Sequence, residues 1–282
     1  MTYTLTITYM DQTVTCTEQS SVVVVTDPNV PNAQAIAPDL LSCENNQVQL
    51  DGSGSTSGSS ITYQRTTSGG NIVSGSNSPN PIVDASGSYT LVVTTATNGC
   101  SDETTIFVDE DFSQPLSLPI VAEDLDCQTL FVELDGSNST IAPNHTYQWS
   151  TTDGNISSGE NLVNATADLP GTYQLIVTNL NSGCADTAEV VVTQNLDLPF
   201  AEASLIGSID CNDPTASLSG GSSTTGPIIS YQWSSTNGSI TSGSTTLNPT
   251  IGSAGTFTLT VTNTTNGCTA EAQVTVVGDV DG

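Results

Sequence analysis

Every 84 residues this chain repeats a strand that ends in a cysteine. Residues 87–100 read GSYTLVVTTATNGC, residues 171–184 read GTYQLIVTNLNSGC and residues 255–268 read GTFTLTVTNTTNGC. The same step carries Cys43 to Cys127 and Cys211, Tyr63 to Tyr147 and Tyr231, Gly75 to Gly159 and Gly243, and Pro31 to Pro115 and Pro199. Repetition this regular means an array of small units, not one large fold. A period of 84 is too long for helical solenoids and suits a small β-sandwich. The expected organisation is a partial repeat over 1–27 and full repeats over 28–111, 112–195 and 196–282. The partial repeat matches only the last two strands of a unit and its second cysteine, Cys16, with two extra residues in the turn.

Within a repeat the apolar positions alternate with a period of two, the mark of half-buried strands. Val48 and Leu50 point one way, as do Tyr147 and Trp149, and Tyr89, Leu91 and Val93. The runs 105–108 and 190–192 read as closing strands, and the Asn-Gly pair before Cys100 is a hairpin signal. No stretch of useful length has a helical period. The chain is expected to be all-β.

A Trp in a central strand, followed by Asp-x-x-Gly-x-Tyr (Asp84, Gly87, Tyr89; Asp168, Gly171, Tyr173), resembles the immunoglobulin-like fold, in which that Tyr bonds back to the chain at a corner. The wider pattern is similar to the immunoglobulin-like and PKD-like tandem repeats of large secreted surface proteins of Bacteroidota. It departs from PKD domains proper in lacking their Asp-Phe-Gly-Asp-Gly turn, and Phe257 stands where the third repeat should have the Tyr. The resemblance implies tandem immunoglobulin-like sandwiches whose core aromatics are Tyr63, Tyr89, Tyr147, Trp149, Tyr173, Tyr231, Trp233 and Phe257.

Seven cysteines without a Cys-x-x-Cys, in Ser/Thr-rich strands, point to disulfides and an oxidising, extracellular compartment. Within repeats the spacing is constant, so the expected bridges are Cys43–Cys100, Cys127–Cys184 and Cys211–Cys268, each closing one end of a sandwich. Cys16 is left unpaired or paired outside this stretch. The chain carries 29 Asp and Glu against a single basic side chain, Arg65. A net charge of −28 gives no basic face for nucleic acid or anionic membrane. Absence of Lys also removes Lys–Asn isopeptide cross-links. No apolar run is long enough to span a bilayer as a helix, and the first residues do not read as a signal peptide.

Candidate chemistry is sparse. His145 is the only His and reads as a solvated loop residue, so no catalytic triad is expected. Asp51 and Asp135 lie in repeated turns and read as turn caps. Acids near the repeat junctions, Asp109, Asp111, Asp124 and Asp126, are candidate calcium ligands, and Asp279 and Asp281 belong to the same pattern, whereas the first junction (Asp27, Asp39, Glu44) and the third (Asp197, Glu202, Asp210, Asp213) are sparser and differently placed. Asn138, Asn144, Asn155, Asn164, Asn237 and Asn263 open glycosylation triplets, at about the number that chance supplies in such a composition. Arg65 replaces the Trp of its sister repeats; its stem would pack while its head reaches solvent, or its head would meet a carboxylate of another subunit.

The opening strand pair needs a cover, because Leu5, Ile7, Val22 and Val24 form an apolar face. Either further repeats precede it, or a neighbouring subunit donates the missing strands. The expected function is structural and non-enzymatic, without a cofactor: an extracellular filament subunit or an adhesin stalk, with copies of itself or adjoining repeats as partners. A carbohydrate-binding array contacting surface glycans is the alternative; it would need exposed aromatics, whereas nearly all those here sit at core-type positions.

Overall fold

A computed structural model describes residues 1–25, 29–211 and 213–278. Asp27, Asp279 and Asp281 lie outside them. The described residues contain strands and turns and no helix. They divide into two compact units, 1–113 with 181–184, and 114–180 with 185–282.

The second unit shows the architecture most fully. Strands Ile120–Val121, Val132–Asp135, Asn164–Ala167 and Ile156–Ser158 pair in that order as one sheet, and His145–Thr151, Gly171–Asn179 and Ala185–Val192 form the other. Four strands against three, in this order, is the constant-type immunoglobulin sandwich. The unit repeats it, with Ser204–Ile206, Ala216–Ser219, Thr250–Ile251 and Ile240–Ser242 facing Ile229–Ser235, Gly255–Asn263 and Thr269–Val276. In the first unit Val48–Gln49, Ile82–Val83 and Ile72–Ser74 face Ile61–Ser68, Gly87–Thr95 and Ser101–Val108, and a bridge between Ile36 and Asp51 stands for the short edge strand.

Alternation puts one face of each strand inside. In the second sandwich Trp149, Leu134, Leu175, Tyr173 and Val177 pack in one core; in the third, Trp233, Leu218, Leu259, Phe257 and Val261 do so. Leu134 and Leu175 stand beside the Trp, in the part of the sandwich where antibody domains place their inter-sheet disulfide. The corner tyrosines behave as expected. The Tyr89 hydroxyl donates to the Ala85 carbonyl at 2.6 Å and accepts from the Asn71 N–H at 2.9 Å; Tyr173 makes the same two bonds, to Leu169 and from Asn155. Burial pushes the Tyr173 phenol above its usual range, with the nearby Asp168 and Asp153 adding to the effect. The ring leaves no room beside it: a Cβ on Gly70 or Gly154 would fall 2.3 Å from the hydroxyl, and one on Gly238 would fall 2.5 Å from the Phe257 ring. Tyr63, Tyr147 and Tyr231 are half-buried instead of central, and their hydroxyls donate to the carbonyls of Thr56, Thr140 and Thr224.

Arg65 corrects the sequence reading. Its head does not reach solvent: the residue is 3% exposed and paired across the sheet with Leu91. Nη2 donates to the Pro79 carbonyl at 2.8 Å, in the loop where the Trp149 indole N–H donates to Leu162 and Val163 and the Trp233 indole to Thr246 in their own sandwiches. Nε and Nη1 have no partner. Desolvation lowers the guanidinium pKa.

The opening strands β1 (Thr2–Asp11) and β2 (Val14–Val23) form an antiparallel hairpin in which Tyr3 faces Val22 and Tyr9 faces Cys16. Every residue of both strands is exposed.

Candidate functional site: the cysteine joints

Each sandwich carries its two cysteines at opposite ends. Leu41–Ser42 runs parallel to Glu110–Asp111, with Ser42 beside Asp111. Cys43 therefore follows directly on the finish of the edge strand, whereas Cys100 immediately precedes its start at Ser101. Ten residues of extended chain put roughly 30 Å between those points, and a disulfide needs Cα atoms within about 7 Å. The second sandwich repeats the geometry with Asp126 beside Asn195, and the third with a parallel bridge from Ile209 to Gly278. The expected bridges within repeats are thus overturned.

The cysteines pair with a stagger. Cys43 bonds Cys184 in the first unit and Cys127 bonds Cys268 in the second, with Cα atoms 4.9 and 5.0 Å apart. The first cysteine of one repeat is joined to the second cysteine of the next. Cys16, Cys100 and Cys211 are free.

Each joint has two halves. One is a tight loop: Ser42 N–H donates to the Asn45 carbonyl and Asp126 N–H to the Thr129 carbonyl, both at 3.0 Å. The other is the turn before the cysteine, where Gly183 and Gly267 adopt φ of 64° and 67°, backbone that favours glycine. The residue before the glycine ties the turn down. Ser182 Oγ donates to the Ser113 carbonyl at 2.9 Å, and Asn266 Nδ2 donates to the Asp197 carbonyl at 3.1 Å. The halves then meet through the backbone: Cys43 N–H donates to the Ser182 carbonyl at 2.9 Å, and Cys127 N–H to the Asn266 carbonyl at 3.1 Å. Contact is close enough that a Cβ on Gly183 would lie 2.8 Å from that of Glu44, and one on Gly267 would lie 2.1 Å from Gln128 Cγ. Ser182, Cys184, Asn266 and Cys268 are all buried.

Three of the candidate calcium ligands serve local turns, and Asp124 holds a residue distant in sequence. Asp109 accepts from the Glu110 N–H and Asp111 from the Ser113 N–H, both at 2.9 Å; Asp124 accepts from the Thr193 hydroxyl, and Asp126 from the N–H groups of Gln128 and Thr129. Hydrogen bonds from the Ser113 hydroxyl and N–H hold the Asp111 carboxyl below the usual carboxylate range, and those from the Thr129 and Gln128 N–H groups do so for Asp126. Among the described residues no three His, Cys, Asp or Glu side chains gather as a metal site. His145 opens a strand and is half-buried, with Nδ1 lacking a partner, so it is not a solvated loop residue.

Of the glycosylation candidates, Asn263 is buried, 8% exposed, and its amide is engaged with Asp197 and Thr265, so the folded chain hides it. Asn155 bonds Asp168, Asn164 bonds Glu133, and Asn237 accepts from the Thr256 N–H, while Asn144 Nδ2 reaches Asn179 at 3.5 Å. Asn138 is exposed. The expectation that nearly all aromatics are internal also needs correction. Tyr3, Tyr9, Phe107, Phe112, Phe131 and Phe200 are exposed: the two tyrosines share the uncovered face of Leu5 and Ile7, Phe107 lies on an outward strand face, and the other three lie in connecting segments.

No family model matches the chain, and no curated protein matches it. Similar solved structures include three N-terminal domains of the bacteriophage RB49 highly immunogenic outer capsid protein (16% identity over 89% of this chain and 99% of that one, TM-score 0.32). Extracellular domains 3–5 of Drosophila OTK align at 12% identity over 89% and 93%, TM-score 0.31, and the four N-terminal Ig domains of Dscam1 at 13% over 98% and 80%, TM-score 0.24. The strand order alone carries the fold assignment.

Proposed function

We propose that this chain is a non-enzymatic structural element of the bacterial cell exterior, of the kind formed by immunoglobulin-like and PKD-like surface repeats in Bacteroidota. Its sandwiches build an extended filament or an adhesin stalk, and its partners are further repeats of the same type. The single observation that carries this reading is the staggered disulfide. A bridge inside one repeat stabilises that repeat; a bridge from each repeat to the next resists bending and pulling of the array. Two such bonds require an oxidising compartment, and a chain with no Lys and one Arg offers trypsin-like proteases a single site.

Electron microscopy with two-dimensional averaging, before and after reduction, tests the reading. Straight particles with a regular axial repeat that become flexible on reduction are the expected result. Compact particles, or particles whose bending is indifferent to reductant, would overturn it. End-to-end growth beyond the length of one chain selects the filament, and rods that do not grow end to end select the stalk.

A further inference from the structure

Cys100 and Cys211 are free, and each lies in one of the two forms of half that make up a joint. The turn at Cys100 shares two side-chain bonds with its closed counterpart at Cys268. Cys100 N–H donates to Asn98 Oδ1 at 3.0 Å, as Cys268 N–H does to Asn266; Asn98 Nδ2 donates to the Asn29 carbonyl at 3.0 Å, as Asn266 does to Asp197. Gly99 has a φ of 71°, matching Gly183 and Gly267. What differs is the cover. A Cβ on Gly99 would meet nothing within 4 Å, where those on Gly183 and Gly267 would press on the incoming loop. Gly99 is exposed and Cys100 half-exposed, whereas Cys184 and Cys268 are 1% and 0% exposed.

The opposite half stands ready at Cys211. Asp210 N–H donates to the Asp213 carbonyl at 3.0 Å, the bond found at Ser42 and Asp126, and the Asp213 N–H returns one to Asp210 Oδ1 at 2.9 Å. The parallel bridge from Ile209 to Gly278 places this loop in its sandwich as the loops of Cys43 and Cys127 are placed in theirs. Cys211 is exposed. One chain therefore carries one open loop and one open turn, each of a form that already joins to the other form twice.

We propose that Cys211 of one copy bonds Cys100 of a second copy, the loop of the third sandwich seating on the turn of the first. Such an interface uses different surfaces on the two partners, so it propagates head to tail instead of closing a pair. The bond forms by exchange with a small-molecule disulfide such as oxidised glutathione. Cys211 thiolate attacks one glutathione sulfur and releases a glutathione thiolate. Cys100 thiolate of the second copy then attacks the Cys211 sulfur and releases the other. The two cysteine protons end on the two released thiols, and the glutathione disulfide is the species reduced. This inference rests on the structural reading and commits it to the filament.

Full-length chains, all carrying Cys16→Ser, are oxidised in a glutathione redox buffer as Cys100→Ser, as Cys211→Ser, and as an equimolar mixture of the two with one partner isotope-labelled. Digestion at acidic residues and mass spectrometry then map the bridges. The expected result is that each variant alone stays at 29.0 kDa, while the mixture gives a reducible dimer of twice that mass. The dimer should contain a mixed-isotope peptide pair joining 100 to 211. The chain with both cysteines should give a ladder of higher multimers. Presence of the 43–184 and 127–268 peptides in every sample certifies that the variants are folded. Dimers of either variant alone, or an oxidised mixture whose Cys100 and Cys211 still react with a thiol reagent, would overturn the proposal. So would native material in which Cys211 is linked to a cysteine outside this sequence. None of these outcomes alters the axial repeat and the response to reductant on which the structural reading is judged, so the two can fail separately.

Discussion

The first and second sandwiches place the same strand in the same register, yet one buries Arg65 where the other buries Trp149. Arg65 faces Leu91 and Trp149 faces Leu175 across the sheet. Both donate to the facing loop: Arg65 to the Pro79 carbonyl, and Trp149 through one N–H shared between the Leu162 and Val163 carbonyls. The indole leaves nothing unsatisfied, while the guanidinium leaves two buried nitrogens without partners and a charge in an apolar layer. The core around Arg65 is somewhat smaller: Leu41, Leu50, Val83, Tyr89, Leu91, Val93 and Val108 are buried in the first sandwich, against nine apolar residues clustered with Trp149 in the second. The difference shows that this fold asks one thing of the position, a donor aimed at a carbonyl, and tolerates a poor supplier when other constraints hold the sandwich. The staggered disulfide is such a constraint, because Cys43 anchors the first unit to residues 181–184.

The largest effect should come from removing that constraint. The bond between Cys43 and Cys184 spans 141 residues of sequence. In the chain-entropy account a loop of that size is worth about 5 kcal/mol. Cys43→Ser combined with Cys184→Ser should therefore unfold the Arg65 sandwich at much lower denaturant than the rest. Hydrogen exchange by mass spectrometry over residues 61–95 reads this directly, and unchanged protection there would show that the smaller core stands alone.

Exchanging the two residues sharpens the contrast. Trp149→Arg should cost the second sandwich about 3–5 kcal/mol, the usual price of removing a buried Trp, with the buried charge adding to it. Trp233 remains as the fluorescent reporter of the third sandwich, so the two transitions separate. Arg65→Trp runs the other way. It removes a desolvated charge and two unpaired donors, each costing about 1–3 kcal/mol, and should raise the unfolding midpoint of the first sandwich. A drop instead would mean that the space beside Gly52 and Leu91 cannot accept an indole.

How much of this could be read in the sequence depends on whether a feature is local. The strands around Leu91, Leu175 and Leu259, the corner bonds of Tyr89 and Tyr173 and the turns before the cysteines follow from alternation and nearby residues, and they stand as expected. The disulfide partners do not, because cysteine spacing carries no record of which end of a sandwich each residue occupies. Only the parallel pairing of Leu41–Ser42 with Glu110–Asp111 decides that, and two-residue strands leave almost no pattern. Arg65 was misplaced for a related reason: long cationic side chains usually reach water, and nothing nearby in the chain reveals the second sheet that closes over this one. The hairpin β1–β2 makes the point from the other side. It has the alternation of Gly255–Asn263 and Thr269–Val276, which bury Leu259 and Val261, but Leu5 and Ile7 are more than 60% exposed. Alternation reports a face that can be buried; the opposing sheet decides whether it is.

The smallest effect separates the first two sandwiches from the third. Asp51 accepts from the Ser53 N–H at 2.9 Å and Asp135 from the Ser137 N–H at 2.8 Å, whereas Ser219 accepts from the Gly221 N–H at 3.1 Å in the corresponding turn. Hydrogen bonds from Ser53 and Ser137 hold the two carboxyls below the usual carboxylate range. Because the folded-state pKa lies below the unfolded one, the caps contribute fully above the ordinary Asp value of about 3.9 and lose their contribution as pH falls through the folded value. The serine cap has no proton to gain. Acidification also relieves repulsion within this highly acidic chain, a relief that acts on all three sandwiches, while Asp111 and Asp126, held low in the same way, add to the acid response of the first and second. Between pH 4 and 2 the denaturant midpoints of the first and second sandwiches should fall relative to the third, and Asp51→Ser with Asp135→Ser should narrow the gap to the share that Asp111 and Asp126 carry. Midpoints that move together would place the acid response elsewhere, in carboxylates that all three repeats share.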